Sequence, residues 1–241
     1  MILKFDDLYN LKKIKGEIGL KIIIKYLTLI FLLVIIIYFS QATDFFMTFG
    51  NFRSILKEWS ILATLALGFT FVLVVNEFDL SFGYLIALCS VCCALLINAG
   101  FNIFLVVILI LIIGILTGFI NGLLIAILGL PAFIATIGTG TVCQGINYIF
   151  SQAAPIAIPF GFIPEGFIFI GQDTIFGLPA TLIIFIPLTF LSFFILKKSK
   201  LGQHLYTIGI NPNAAKKVGI SISRGKIIAF IFCGLGAAIV G

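Results

Sequence analysis

Apolar residues fall in long unbroken blocks along this chain, separated by short polar interruptions. Within a block both odd and even positions are apolar. A membrane β-strand would alternate instead, so the pattern predicts helices and argues against a β-barrel. The blocks cover residues 22–39, 59–75, 80–97, 102–128, 131–150 and 178–196. Each approaches or exceeds the roughly 20 residues that a helix needs to cross a bilayer. A seventh run starts at Ile227 and reaches Gly241, short for a full crossing. The predicted fold class is all-α, a polytopic transmembrane helical bundle of about seven spans, the last incomplete.

The interruptions differ in character. Residues 1–21 are polar and Lys-rich, a cytoplasmic segment read either as a short amphipathic surface helix or as a solvated tail that sets topology. A cleaved signal peptide ending at Ser40-Gln41-Ala42 is the rival reading of the first block. Residues 41–58 read as a polar connection. Residues 151–177 carry Pro155, Pro159 and Pro164 and read as a substantial loop rather than a span. Pro187 predicts a kink in the sixth span. Residues 22–241 therefore form one transmembrane domain, with a basic loop at 197–226.

The stretch 114–149 organises this domain. Gly114, Gly118 and Gly122 recur every four residues and share one helix face, a stripe that lets a neighbouring helix approach closely in lipid. Asn121 lies beside the stripe, and its amide needs a protein or water partner. An interhelical hydrogen bond and a solute contact both satisfy that need. Gly129-Leu130-Pro131 breaks the run, and Pro131 suits the first turn of the next helix. Phe133 and Thr136 follow. The Thr136 hydroxyl is expected to bond its own helix backbone before any ligand.

Composition strengthens the membrane reading. Of 241 residues, 61% are hydrophobic and only 10% charged, against about a quarter charged in soluble domains. The net charge of +6 invites a nucleic-acid partner, but its distribution excludes one. Basic residues cluster before the first span and between Lys197 and Lys226, flanking apolar spans as the positive-inside rule requires. Six spans separate the clusters, an even number that puts both in the cytoplasm, with 41–58 and 151–177 outside. Arg53 and Lys57 then lie on the outer side, partly offset by Asp44 and Glu58. The five Cys lie in apolar runs and read as packing residues, not metal ligands.

Glu77 and Asp79 are the only acids inside the apolar region between the first span and the outer loop, with no Lys or Arg nearby in sequence. In Asp79-Leu80-Ser81 the carboxylate reads as an N-cap of the next helix or as part of a polar pathway lining. The two agree if that helix starts part-way through the membrane. No catalytic constellation, metal-ligand cluster or phosphate loop stands out, which argues against an enzyme and predicts no cofactor. In the basic loop, Asn211 is a good N-cap, Pro212 suits the first helical position and Gly219 suits the stop. That predicts a two-turn helix over 212–218. Ala214 and Ala215 leave it slim on one side, as a knob for a cytoplasmic partner.

These features together resemble the permease subunit of bacterial ABC sugar importers of the ribose, xylose and galactose type, from about Asn51 to Gly241. Glu77-Phe78-Asp79-Leu80-Ser81-Phe82-Gly83 is similar to the family's I-D-L-S-x-G stretch, with Phe78 in place of the usual Ile. Gly118-x-x-Asn121-Gly122 and Pro131-Ala132-Phe133-Ile134-Ala135-Thr136 resemble its G-x-x-N-G…P-x-F-I-x-T signature. Leu201-Gly202, Gly209, Asn211, Ala214-Ala215 and Gly219-Ile220 look like its coupling loop. The resemblance implies import of a ribose-like monosaccharide across the cytoplasmic membrane by alternating access. It implies cytoplasmic ABC ATPase subunits, an external solute-binding protein and a second permease copy or homologous permease as partners. Glu77, Asp79, Ser81, Asn121, Phe133 and Thr136 would line the pathway or cap helices, and Asn211, Pro212, Ala214, Ala215 and Gly219 would couple to the ATPase. Family members usually continue through about three more spans, so a chain truncated at the C-terminus is expected. A nucleoside or autoinducer importer of the same type is the alternative. An ion-coupled secondary transporter is a further one.

Overall fold

The computed structural model describes residues 26–159, 161, 163, 165–172 and 174–241. The expectations for residues 1–21 and for the start of the first span fall outside them. The chain divides into two compact units, residues 1–54 and 55–241. In the first, α1 covers Tyr26–Ala42 and a turn leads to the start of α2, Phe49–Val74. The second holds the rest of α2 and then α3 (Phe82–Asn98), α4 (Ile103–Ala126), α5 (Ala132–Ser151), α6 (Glu165–Gln172), α7 (Ala180–Lys198), α8 (Lys200–Ile210), α9 (Pro212–Lys217) and α10 (Ile222–Val240). A two-residue hairpin, β1 (Thr174–Ile175) with β2 (Leu178–Pro179), precedes α7. The protein is an all-α polytopic bundle. Among the described residues four helices are long and apolar enough to cross a membrane: α2, α4, α7 and α10.

Several boundaries depart from the sequence reading. Residues 49–58 are helical, so α2 begins ten residues before the expected Trp59. Polar side chains mark where a helix leaves an apolar environment, not where it ends. The loop 151–177 contains the short helix α6. Residues 200–210 form α8, which the basic composition concealed; Ser199 caps it by accepting from the Gly202 N–H at 3.1 Å. Helix α10 starts at Ile222 rather than Ile227, capped by Ser221, and its 19 residues carry Arg224 and Lys226 in the first turns. Pro131 occupies the N-cap of α5 (ψ 132°) rather than its first turn.

The core of the second unit is built on α10, which packs antiparallel on α4. A Cβ on Gly118 would collide with the carbonyl of Phe230, and one on Gly122 would lie 2.6 Å from the Cα of Ile227. Gly234 returns the contact onto the backbone of Gly114. Helix α2 uses the same device on another face of α10: a Cβ on Gly68 would lie 2.8 Å from the Phe232 carbonyl oxygen and 3.0 Å from the Cα of Gly236. Phe71 then stacks on Phe232 with ring centroids 4.3 Å apart. Small residues on both partners let the backbones meet, the geometry by which helices associate where apolar burial gives no drive.

Candidate functional site

Helix α2 ends at Val74, Asn76 takes φ 58°, and residues 77–81 have no regular secondary structure before α3 begins at Phe82. This connecting segment bonds to both α4 and α5 and delivers Asp79 and Ser81 to buried positions, 2% and 1% exposed. Asn121 comes from α4 and Thr136 and Thr139 from α5. Asn121 lies five residues before the end of α4, so the meeting point is about 8 Å inside that helix end.

The side chains form one continuous network. Asp79 Oδ1 accepts from the Ser81 N–H at 2.8 Å and from Ser81 Oγ at 2.6 Å. Asn121 Nδ2 donates to Ser81 Oγ at 2.8 Å and lies 3.4 Å from Asp79 Oδ2. Thr139 Oγ1 donates to Asn121 Oδ1 at 2.6 Å. Thr136 Oγ1 donates to the Ala132 carbonyl at 2.7 Å and accepts the Leu80 N–H at 3.1 Å. The Thr136 hydroxyl thus bonds its own helix and also holds the connecting segment, so a backbone N–H without a helical partner is satisfied. The N-cap position of α3 belongs to Ser81, not Asp79. The Asp79 carboxylate instead closes a turn two residues on, which orients the segment before the helix starts.

Other expected residues lie elsewhere. Glu77 leaves the cluster and forms an ion pair with Lys226 of α10, both side chains about one-fifth exposed. The absence of a neighbouring cation in sequence was therefore misleading, because the partner lies 149 residues away. Phe133 is 61% exposed and does not join the network. In the basic loop, Asn211 Oδ1 accepts from the Ala214 N–H at 3.0 Å, Pro212 holds the first position of α9, and Gly219 takes φ 81°. Ala214 is exposed, but Ala215 is fully buried among Leu205, Ile208 and Ala229. Ala215 cannot belong to an outer docking face, since it is the contact by which α9 sits on its own chain.

One end of the second unit gathers three pieces that are remote in sequence. Besides the Glu77–Lys226 pair, Gly209 of α8 lies against the carbonyl of Val74, where a Cβ would collide. Ser223 Oγ donates to the Ala126 carbonyl at 3.0 Å. The basic segment 197–226 therefore rests on the ends of α2 and α4. At the opposite end Asn98 Nδ2 donates to the Ala157 carbonyl at 3.0 Å. Motif spacing revealed Asp79, Ser81, Asn121 and Thr136. Thr139 and Lys226 were missed, since a threonine in an apolar helix and a lysine in a basic cluster carry no local signal.

Comparison with known proteins gives this arrangement a context. A family described as branched-chain amino acid transport system / permease component matches residues 51–241. The Ribose import permease protein RbsC of Haemophilus influenzae is 31% identical over 225 residues, covering 93% of this chain and 69% of that protein. The protein of the same name from Bacillus subtilis is 33% identical, covering 88% of this chain and 65% of the relative. The L-arabinose transport system permease protein AraH of Escherichia coli is 33% identical, covering 81% of this chain and 58% of the relative. The chain thus spans about two thirds of the length of these relatives. No solved structure matches it. With the matched region containing the segment between α2 and α3, the glycine-packed helices and the capped loop helix alike, this chain belongs to the transport-system permease family, as a multi-pass, non-enzymatic subunit of the bacterial cytoplasmic membrane.

Proposed function

We propose that this chain is the permease subunit of an ATP-binding-cassette importer that moves a monosaccharide delivered by an external binding protein. ATP hydrolysis takes place on separate cytoplasmic subunits, and a second permease copy or a homologue completes the membrane part. The observation that carries the reading is the similarity to relatives named for ribose import and for arabinose transport over four fifths or more of the chain. The geometry agrees with it. Helix α9 is capped at both ends and exposes Ala214 beside the segment that rests on α2 and α4, the position from which a cytoplasmic ATPase could act on the bundle. The two basic clusters support a cytoplasmic position for that end and for the N-terminus. Asp79, Ser81, Asn121 and Thr136 hold the broken helix beside the pathway.

Uptake of radiolabelled ribose and arabinose by cells carrying the complete importer tests this, with and without the chain. Uptake that needs the chain and ATP is the expected result. Leucine or a nucleoside taken up in place of sugars would overturn the cargo. Uptake that survives ATP depletion and collapses with the proton or sodium gradient would overturn the importer class.

A further inference from the structure

We propose that the end of α7 next to α8 is a binding site for an anionic phospholipid. Lys197, Lys198 and Lys200 hold its phosphate, and the exposed apolar arc of α7 carries its acyl chains. The site depends on α7 spanning the membrane and not on the cargo or the ATPase.

Helix α7 faces away from the bundle. Of its 19 residues only Ala180 and Leu196 are buried. At 1.5 Å per residue it is about 28 Å long, close to the thickness of a bilayer's hydrocarbon core. Lys197 and Lys198, in its last turn, therefore stand at headgroup level. Every exposed residue from Ile186 to Phe194 is apolar, and Phe190, Leu191, Phe193 and Phe194 are each more than half exposed. At 100° per residue these four and the two lysines fall on one arc. Lys197 follows Phe193 by four residues and Lys198 follows Phe194 by four, so each cation continues an apolar ridge.

The junction with α8 fixes the cations. Ser199 Oγ donates to the Ile195 carbonyl at 2.6 Å and accepts the Gly202 N–H at 3.1 Å. A Cβ on Gly202 would collide with the Leu196 carbonyl, so α8 starts directly against the end of α7. Three lysines thus lie within four residues at a tight turn. Lys197 Nζ is 5.7 Å from the centroid of the half-buried Tyr206 ring, which directs its side chain. Protein supplies no counter-charge here. Residues 174–241 contain no Asp or Glu, and among the described residues Glu77 pairs with Lys226 and leaves these three lysines without a carboxylate.

Bulky apolar ridges in line with clustered cations select an amphiphile with a negative head. Phosphate oxygens accept from the ammonium groups, and each lysine at a membrane surface adds to the attraction. A soluble anion would use the lysines but not the ridges. A second protein helix fits less well, because the exposed arc from Ile186 to Lys198 has no Gly, Ala or Ser. Helices α4 and α10, by contrast, meet through glycines.

Photolabelling in nanodiscs that hold the complete importer tests this. Phosphatidylglycerol and phosphatidylcholine, each with a diazirine on an acyl chain, are compared by mass spectrometry of peptides covering 190–206. Phosphatidylglycerol should label this stretch at least about fivefold more than phosphatidylcholine. Lys197→Gln, Lys198→Gln and Lys200→Gln together should bring the two lipids to parity. The charge-matched set Lys216→Gln, Lys217→Gln and Arg224→Gln should keep the preference. Parity in the unaltered chain would overturn the proposal, and that measurement holds even where a triple variant fails to insert. Equal loss in both triple variants would overturn it in favour of diffuse surface charge. Inorganic phosphate that abolishes the preference would assign the lysines to a soluble anion instead. Labelling by neither lipid would show that protein covers the arc, and would also overturn it.

Discussion

Glu77 and Lys226 form an ion pair that joins the break after α2 to the first turns of α10. The pair bridges 149 residues of sequence and lies at the end where α8 also meets the carbonyl of Val74. The segment that leads into the buried polar network is thereby anchored at its start by charge and, two residues on, by the carboxylate of Asp79.

Reversing one charge should break this anchor, and reversing both should restore it. Glu77→Lys faces Lys226 with a like charge in a half-buried place and should destabilise the folded chain. The double variant Glu77→Lys, Lys226→Glu should recover most of the loss, giving a coupling of about 1–3 kcal/mol in a double-mutant cycle. Thermal denaturation of the detergent-solubilised permease reads the cycle. Additive losses would show that the two side chains do not stabilise one another.

Asn121→Leu removes the amide that joins Ser81 to Thr139. The buried Ser81 Oγ loses a donor and the half-buried Thr139 hydroxyl loses an acceptor, at a cost of about 1–3 kcal/mol. The expected result is a lowered melting temperature and reduced membrane level. Asn121→Asp should be worse, because a second carboxylate would then stand beside Asp79. Equal stability of the two variants would mean that water replaces the amide.

Glycines that contact backbone should tolerate no Cβ, while exposed ones should. Gly234→Ala drives a methyl into the backbone of Gly114 and should separate α4 from α10. Gly138→Ala meets no atom within 4 Å and should assemble normally. Cross-linking between Cys residues introduced at 115 and 235 reports whether the helices still meet. Efficient cross-linking in Gly234→Ala would show that the bundle relaxes around the methyl.

The two alanines of α9 should part company. Ala215→Glu buries an unpaired carboxylate among Leu205, Ile208 and Ala229 and should lower the level of the chain itself. Ala214→Glu lies on the exposed side and should leave the chain at normal level. On the proposed function it should abolish transport and the stimulation of ATP hydrolysis by liganded binding protein. Both activities intact in Ala214→Glu would remove α9 as the coupling element.

Sequence by itself determined the class of this protein, the number and order of most apolar helices, and the two features written in short-range spacing. The glycine stripe on α4 repeats every four residues, and the cap, proline and stop of α9 lie within nine residues. Such signals are local, because a helix face or a helix end is set by the residues along it. The extent of α2, α8 and α10 was hidden, since composition reports the polarity of the surroundings and helices continue past a change of polarity. Only the tertiary structure decided which polar residues meet. Asp79, Ser81, Asn121 and Thr139 belong to three separate segments, and Glu77 leaves its neighbour Asp79 to pair with Lys226. Ala214 and Ala215, adjacent and chemically identical, face opposite environments. Their fates depend on how α9 packs on α8 and α10, a long-range arrangement that no local spacing encodes.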